Sequence, residues 1–133
     1  MAPDARRRLG DAGEALVARW YEQRGFVVVD RNWRCREGEL DLVCAGREAG
    51  VSVLVFCEVK TRRSTAFGSP LEAVTITKQR RIRVLAGRWL AEQGSAGGGR
   101  VGGVRAPRLR FDVASVLARP GTAPEITVVE AAF

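Results

Sequence analysis

The sequence predicts an α/β domain in which a single mixed β-sheet is flanked by helices, with element order α-β-β-β-α-β-β. Three observations carry that expectation. Two segments show helical spacing, 6–24 and 75–93, and they sit at either end of a block of strand-like runs. Residues 51–60 are apolar on both faces for most of their length, as in a central strand covered on both sides. The alternation of helix and strand classes along 133 residues fits one compact layered unit, so one domain over 1–133 is expected.

In the first helix Leu9, Gly13, Leu16, Val17, Trp20 and Tyr21 recur at helical spacing, and Gly25 supplies the stop. Phe26 to Asp30 reads as a short β-branched strand. Residues 31–38 are polar and end at Gly38, which marks a turn. Glu39 to Val43 reads as a second strand, and Gly46 to Gly50 as a hairpin connection. Val51 to Lys60 forms the third strand, followed by a loop over 61–70. In the second helix Thr75 is placed to cap, and Lys78, Ile82, Leu85 and Trp89 share a stripe. Gly94 to Gly103 holds six glycines in ten residues, so a flexible loop is expected at about 94–107. Leu109 to Leu117 and Ile126 to Val129 read as closing strands.

Composition narrows the chemistry. Lys and Arg outnumber Asp and Glu by 22 to 15, a net charge of +7, with arginine dominant. The guanidinium fork suits phosphate, so a nucleic-acid partner is favoured over a purely solubilising role. Histidine is absent. That removes Ser-His-Asp and Cys-His hydrolases and HExxH proteases together. The three cysteines, Cys35, Cys44 and Cys57, are widely spaced, which argues against a disulfide framework. Reduced thiols, no apolar run of roughly 20 residues and no apolar region after Arg6–Arg8 together predict a cytoplasmic protein with no membrane partner.

Catalysis must then rest on carboxylates, lysine, hydroxyls or bound metal. On the third strand Glu58 and Lys60 share a face, roughly 7 Å apart. Two charges at the end of a buried strand are costly unless paired, since ion burial costs several kcal/mol. An ion pair is the plain structural explanation. The preceding strand shifts the balance. Leu40 and Leu42 are expected to face one way, and Glu39 and Asp41 the other. A hairpin between these strands lets Asp41 and Glu58 converge, and two such carboxylates need a positive charge between them. Hard oxygen donors favour Mg2+ or Mn2+. Lys60 beside them would stabilise charge on a phosphate, the minimal set for metal-assisted phosphodiester hydrolysis. Glu14, after Gly13, is a further candidate, weighed against a plain surface glutamate. Arg62, Arg63 and Arg81 are candidate phosphate contacts, although each taken singly also fits a solvated surface. Trp33 is the one tryptophan weighed for base stacking.

The segments G-E-A-L-V-A-R-W-Y (13–21), G-F-V-V-V-D-R-N-W-R (25–34), G-E-L-D-L-V (38–43), V-F-C-E-V-K-T-R (55–62), K-Q-R-R-I (78–82) and R-F-D-V (110–113) resemble the bacterial YraN family. That family is similar to archaeal Holliday-junction resolvases and carries the restriction-endonuclease-like, PD-(D/E)XK fold. The resemblance implies Asp41 and Glu58 as metal ligands, Lys60 as the catalytic lysine, Glu14 as a helix-borne acid and Lys78 as a further polar residue at the nucleic acid. It implies a Mg2+- or Mn2+-dependent endonuclease, with DNA expected ahead of RNA and branched DNA among the candidate substrates. Resolvases of this fold commonly dimerise, so a homodimer is one assembly it allows. The alternative is a nucleic-acid-binding module on the same fold without turnover.

Overall fold

The computed structural model describes residues 3–64, 68–96, 100–101, 104–105 and 107–133. Helix α1 (Pro3–Glu22) leads into strands β1 (Val27–Cys35), β2 (Gly38–Glu48) and β3 (Val51–Arg62). A 3-10 turn (Pro70–Ala73) precedes helix α2 (Ile76–Ala96). Short strands β4 (Arg100–Val101) and β5 (Val104–Arg105) pair with each other, and β6 (Arg108–Leu117) and β7 (Glu125–Val129) close the chain. The main sheet has five strands in the order β1-β2-β3-β6-β7. Among the described residues only β3 and β6 run parallel. A parallel pair needs a long crossover, and the segment bearing α2 supplies it. The expected mixed sheet and its α-β-β-β-α-β-β order are those observed, with the β4–β5 ribbon added.

The β3 side chains alternate between two cores. Val53, Val55 and Cys57 enter a cluster with Val17, Ala18 and Tyr21 of α1. Leu54 and Phe56 enter a second cluster with Ile82, Leu85 and Trp89 of α2. All seven residues Val53–Cys57, Trp89 and Tyr21 are buried, which is why β3 shows no polar alternation in its first part. Phe56 meets Trp89 edge-on at 5.7 Å and stacks on Phe111 at 5.6 Å. Such ring pairs contribute about 0.5–1.5 kcal/mol each beyond area burial.

Both helix ends follow sequence chemistry. Gly25 adopts a φ of 84°, and the Phe26 N–H reaches back to the Tyr21 carbonyl at 3.1 Å, closing α1. At α2 the Thr75 hydroxyl accepts the Lys78 N–H at 3.2 Å.

Several sequence expectations change. β1 continues to Cys35, through residues expected as a polar connection. It is an edge strand, so it needs few apolar side chains, and its register shifts between Val28 and Asp30, which breaks the alternation. β2 runs on to Glu48, and the hairpin turn narrows to Ala49 and Gly50. In the glycine-rich stretch α2 extends to Ala96 and β4 pairs with β5, while 97–99, 102–103 and 106 lie outside the described residues. Leu40 and Leu42 were expected on one face. Leu40 packs with α2 and Leu42 with α1, because the strand loses its regular alternation where it leaves β3. No helix among the described residues is long and apolar enough to cross a membrane.

One buried polar cluster ties the layers together. Asp112 is fully buried and Arg110 is 7% exposed. Arg110 donates to both Asp112 oxygens at 2.9 and 2.8 Å, and the Tyr21 hydroxyl donates to Oδ2 at 2.6 Å. The Ala131 N–H donates to Oδ1 at 3.0 Å. These bonds join α1, β6 and the segment after β7, and they satisfy a carboxylate that would otherwise cost several kcal/mol to bury.

Candidate functional site

The site forms where β2 and β3 separate. Their paired register runs from Glu48–Val51 to Leu42–Cys57, and β3 continues beside β6 alone to Arg62. At the fork the Asp41 Oδ2 accepts the Val59 N–H at 2.8 Å, a side chain standing where a strand carbonyl would be. The Glu58 carboxylate lies close enough to push the Asp41 pKa up, so the two acids do converge.

Glu14 arrives from α1. A Cβ on Gly13 would fall 1.9 Å from the Thr61 hydroxyl oxygen, so glycine is what lets the helix lie this close to β3. The Asn32 side chain lies near Glu14 and partly offsets the rise in its pKa, and Asn32 holds a φ of 49°, a region asparagine tolerates better than most residues. Glu14, Glu39 and Asp41 each offer a carboxylate oxygen within 4.8 Å of the others. Glu14 Oε2 is buried without a hydrogen-bond partner among the described residues.

This crowding has an electrostatic cost. Burial, followed by the charge of Glu58, pushes the Asp41 carboxyl up to about 8 from 3.8. Burial, followed by the charge of Glu39, pushes Glu14 up to about 7 from 4.5. Both shifts state the same fact: near neutral pH the pocket holds more negative charge than its surroundings stabilise.

The cations are placed differently from the sequence expectation. Glu58 alternates away from Cys57 and Val59, and its Oε1 pairs with Lys78 Nζ of α2 at 2.8 Å. Lys60 follows on the same face, is exposed, and makes no ion pair with any described residue. The Glu58–Lys60 ion pair of the plain structural explanation is therefore not what forms. Arg62 donates to the Gly68 carbonyl at 2.9 Å. Arg63 and Arg81 are exposed, with the Arg81 stem beside Gly38. Trp33 is half-buried against the α2-side core, which takes its ring out of the role of an open stacking platform.

Sequence reasoning omitted Glu39 as a site residue, although the E-L-D alternation already put it on the Asp41 face. It also missed Arg34, which pairs with Glu39 at 3.0 Å across the β1–β2 ladder. On the α1 side, Arg6, Arg7, Gly10, Asp11, Glu14, Asn32, Arg34 and Glu39 line a cleft of about 630 Å³.

The model of an uncharacterised protein family, UPF0102, matches residues 13–116. The chain belongs to the UPF0102 family. The YraN resemblance read from the sequence is to this same family. The UPF0102 protein of Nocardia farcinica is 48% identical over 128 residues, covering 96% of this chain and 91% of the relative. That of Rhodococcus jostii is 46% identical over 125 residues, covering 94% and 95%. That of Frankia casuarinae is 49% identical over 120 residues, covering 90% of each. The UPF0102 match spans Glu14, Glu39, Asp41, Glu58, Lys60 and Lys78, so the whole acidic site falls within the family domain.

Proposed function

We propose that this UPF0102 chain is a nucleic-acid-binding protein and a Mg2+- or Mn2+-dependent endonuclease of restriction-endonuclease-like type, with DNA the expected substrate. The observation that carries the reading is the convergence of Glu14, Glu39 and Asp41 within 4.8 Å, with the charge of Glu58 near enough to raise the Asp41 pKa. Arg34 and Lys78 pair with Glu39 and Glu58. Glu14 and Asp41 instead have raised pKa values, and one buried Glu14 oxygen is orphaned among the described residues.

The donor set fits a hard divalent cation. All the donors are oxygens, histidine is absent, and two of the three cysteines are buried in the apolar clusters. Asp41 and Glu58 would hold the ion, with Glu14 and Glu39 in reach through the shared cluster. Bound there, a divalent cation supplies Lewis acidity and lowers the pKa of a water. Lys60, exposed beside Glu58, stabilises negative charge on the phosphate. Lys78 neutralises Glu58 on the α2 face and orients it. Histidine takes no part, so proton transfer runs through carboxylates and water.

Calorimetry with Mn2+ on wild type and Asp41→Asn tests the ligand assignment, with binding expected in the wild type and strongly weakened in the variant. Incubation with branched and linear DNA and RNA in Mg2+, Mn2+ or EDTA tests the activity. Binding of these nucleic acids without cleavage in either metal would replace the nuclease with a non-catalytic binding module.

A further inference from the structure

The cleft on the α1 side has no role in the chemistry above, yet Glu14 and Glu39 belong both to its wall and to the acidic cluster. Arg6, Gly10 and Glu14 are spaced four residues apart, so they form one stripe along α1. Each step advances about 6 Å along the helix axis. The stripe leads away from the acids toward two guanidinium groups, Arg6 and Arg7. Asn32 and Arg34 of β1 and Glu39 of β2 form the facing wall.

Size and charge limit what this cleft accepts. Its volume of about 630 Å³ lies within the roughly 300–1,000 Å³ of sites for small ligands. That leaves room for a nucleotide unit rather than for the side of a duplex. The lining sets Arg6, Arg7 and Arg34 against Asp11, Glu14 and Glu39, and Arg6 and Arg7 supply planar donors for phosphate at the end away from the acidic cluster. Gly10 keeps the middle open: a Cβ added there meets nothing within 4 Å. Arg34 is paired with Glu39 at 3.0 Å on this wall, as Lys78 is with Glu58 and Arg62 with the Gly68 carbonyl on the other side, so a phosphate here would share Arg34 with that carboxylate.

We propose that the Arg6–Arg7–Arg34 cleft is a subsite for the phosphodiester backbone of a single nucleic-acid strand, holding the segment next to the phosphate that faces the acidic cluster. This rests on the nucleic-acid reading of the same site. The strand then runs along α1, and not only past Arg62, Arg63 and Arg81 as the sequence suggests.

The test uses fluorescence anisotropy with a labelled single-stranded DNA and a labelled four-way DNA junction, in EDTA, over a range of salt. Gly10→Leu fills the cleft without changing charge, at a helix position where leucine is the better helix former. It is expected to weaken binding about tenfold or more while thermal stability is kept. Arg6→Gln/Arg7→Gln is expected to lower the log–log salt slope by about 1 for each arginine that meets a phosphate. Arg24→Gln, whose guanidinium lies over Trp20 at 3.6 Å, serves as a control for the loss of one arginine outside the cleft and should behave as wild type. If wild type binds and both cleft variants bind equally well with an unchanged slope, the subsite is overturned and the nucleic-acid reading stands. If wild type binds neither probe, both fall together.

Discussion

The Asp41 Oδ2 accepts the Val59 N–H at 2.8 Å, across the fork where β2 leaves β3. That bond fixes the carboxylate in a place where burial and Glu58 both oppose its charge. The same geometry makes the site sensitive to pH. The Asp41 pKa is raised from 3.8 to about 8, so the folded state favours its protonated form. Its contribution to stability is fully present below about 3.8 and is lost as pH rises through about 8. Glu14, raised from 4.5 to about 7, acts in the same direction. Metal-free protein is expected to melt at lower temperature at pH 8 than at pH 5. Asp41→Asn removes one charge and should flatten that slope, and Mn2+ should raise the wild-type melting temperature at pH 8. Differential scanning fluorimetry across this range reads all three. An identical slope in Asp41→Asn and wild type would show that this carboxyl does not set the pH dependence.

Lys60→Ala should separate binding from turnover. Lys60 makes no ion pair with a described residue, so the fold should survive its loss. A lost electrostatic contact to a transition state costs about a hundredfold to a thousandfold in rate. Affinity, spread over many arginines, should change by much less. Single-turnover cleavage and a salt titration on the same preparation measure both, and wild-type cleavage by the variant would exclude Lys60 from the chemistry.

Gly13→Ala should push α1 off β3. The added Cβ meets the Thr61 hydroxyl oxygen at 1.9 Å and the Thr61 Cβ at 3.1 Å. Overpacking of this kind costs about 1–3 kcal/mol. Thr61→Ala in the same chain should recover part of that cost, giving a coupling of about 1 kcal/mol in a double-mutant cycle. Urea unfolding midpoints of the four proteins provide the numbers. Additive effects would mean that the two residues do not meet.

Asp112→Ala should be far more damaging than any change in the acidic site. It leaves a 7%-exposed Arg110 guanidinium with only the longer contacts to Glu48 at 3.4 Å and Glu130 at 3.8 Å, and it strands the buried Tyr21 hydroxyl. Breaking a buried pair this way costs about 3–5 kcal/mol. Tyr21→Phe removes a single bond to a charged acceptor and should cost about 1.5–3 kcal/mol. Denaturant titration would show the order, and a Tyr21→Phe as damaging as Asp112→Ala would assign the network's main contribution to the hydroxyl.

Local periodicity determined a great deal from sequence. The unbroken apolar run before Glu58 marked β3 as a strand covered on both faces, and the stripes through Val17 and Tyr21 and through Ile82, Leu85 and Trp89 marked the two covering helices. Alternation placed Glu58 with Lys60, and the small size of Gly13 announced a close approach. These features depend on residues a few positions apart, where backbone geometry alone fixes which side chains are neighbours.

Tertiary structure decided the rest, because the remaining features depend on register and desolvation. Leu40 and Leu42 part to opposite cores only because β2 loses its regular alternation at the fork. β1 was hidden beyond Asp30 because an edge strand with a register shift and a left-handed Asn32 carries no clean alternation. Lys78 reaches Glu58 because α2 packs on the sheet face that carries Leu54 and Phe56, and Tyr21 reaches Asp112 across 91 positions. The raised pKa values of Glu14 and Asp41 exist only once packing has removed water from acids that the chain holds 27 residues apart, at 14 and 41.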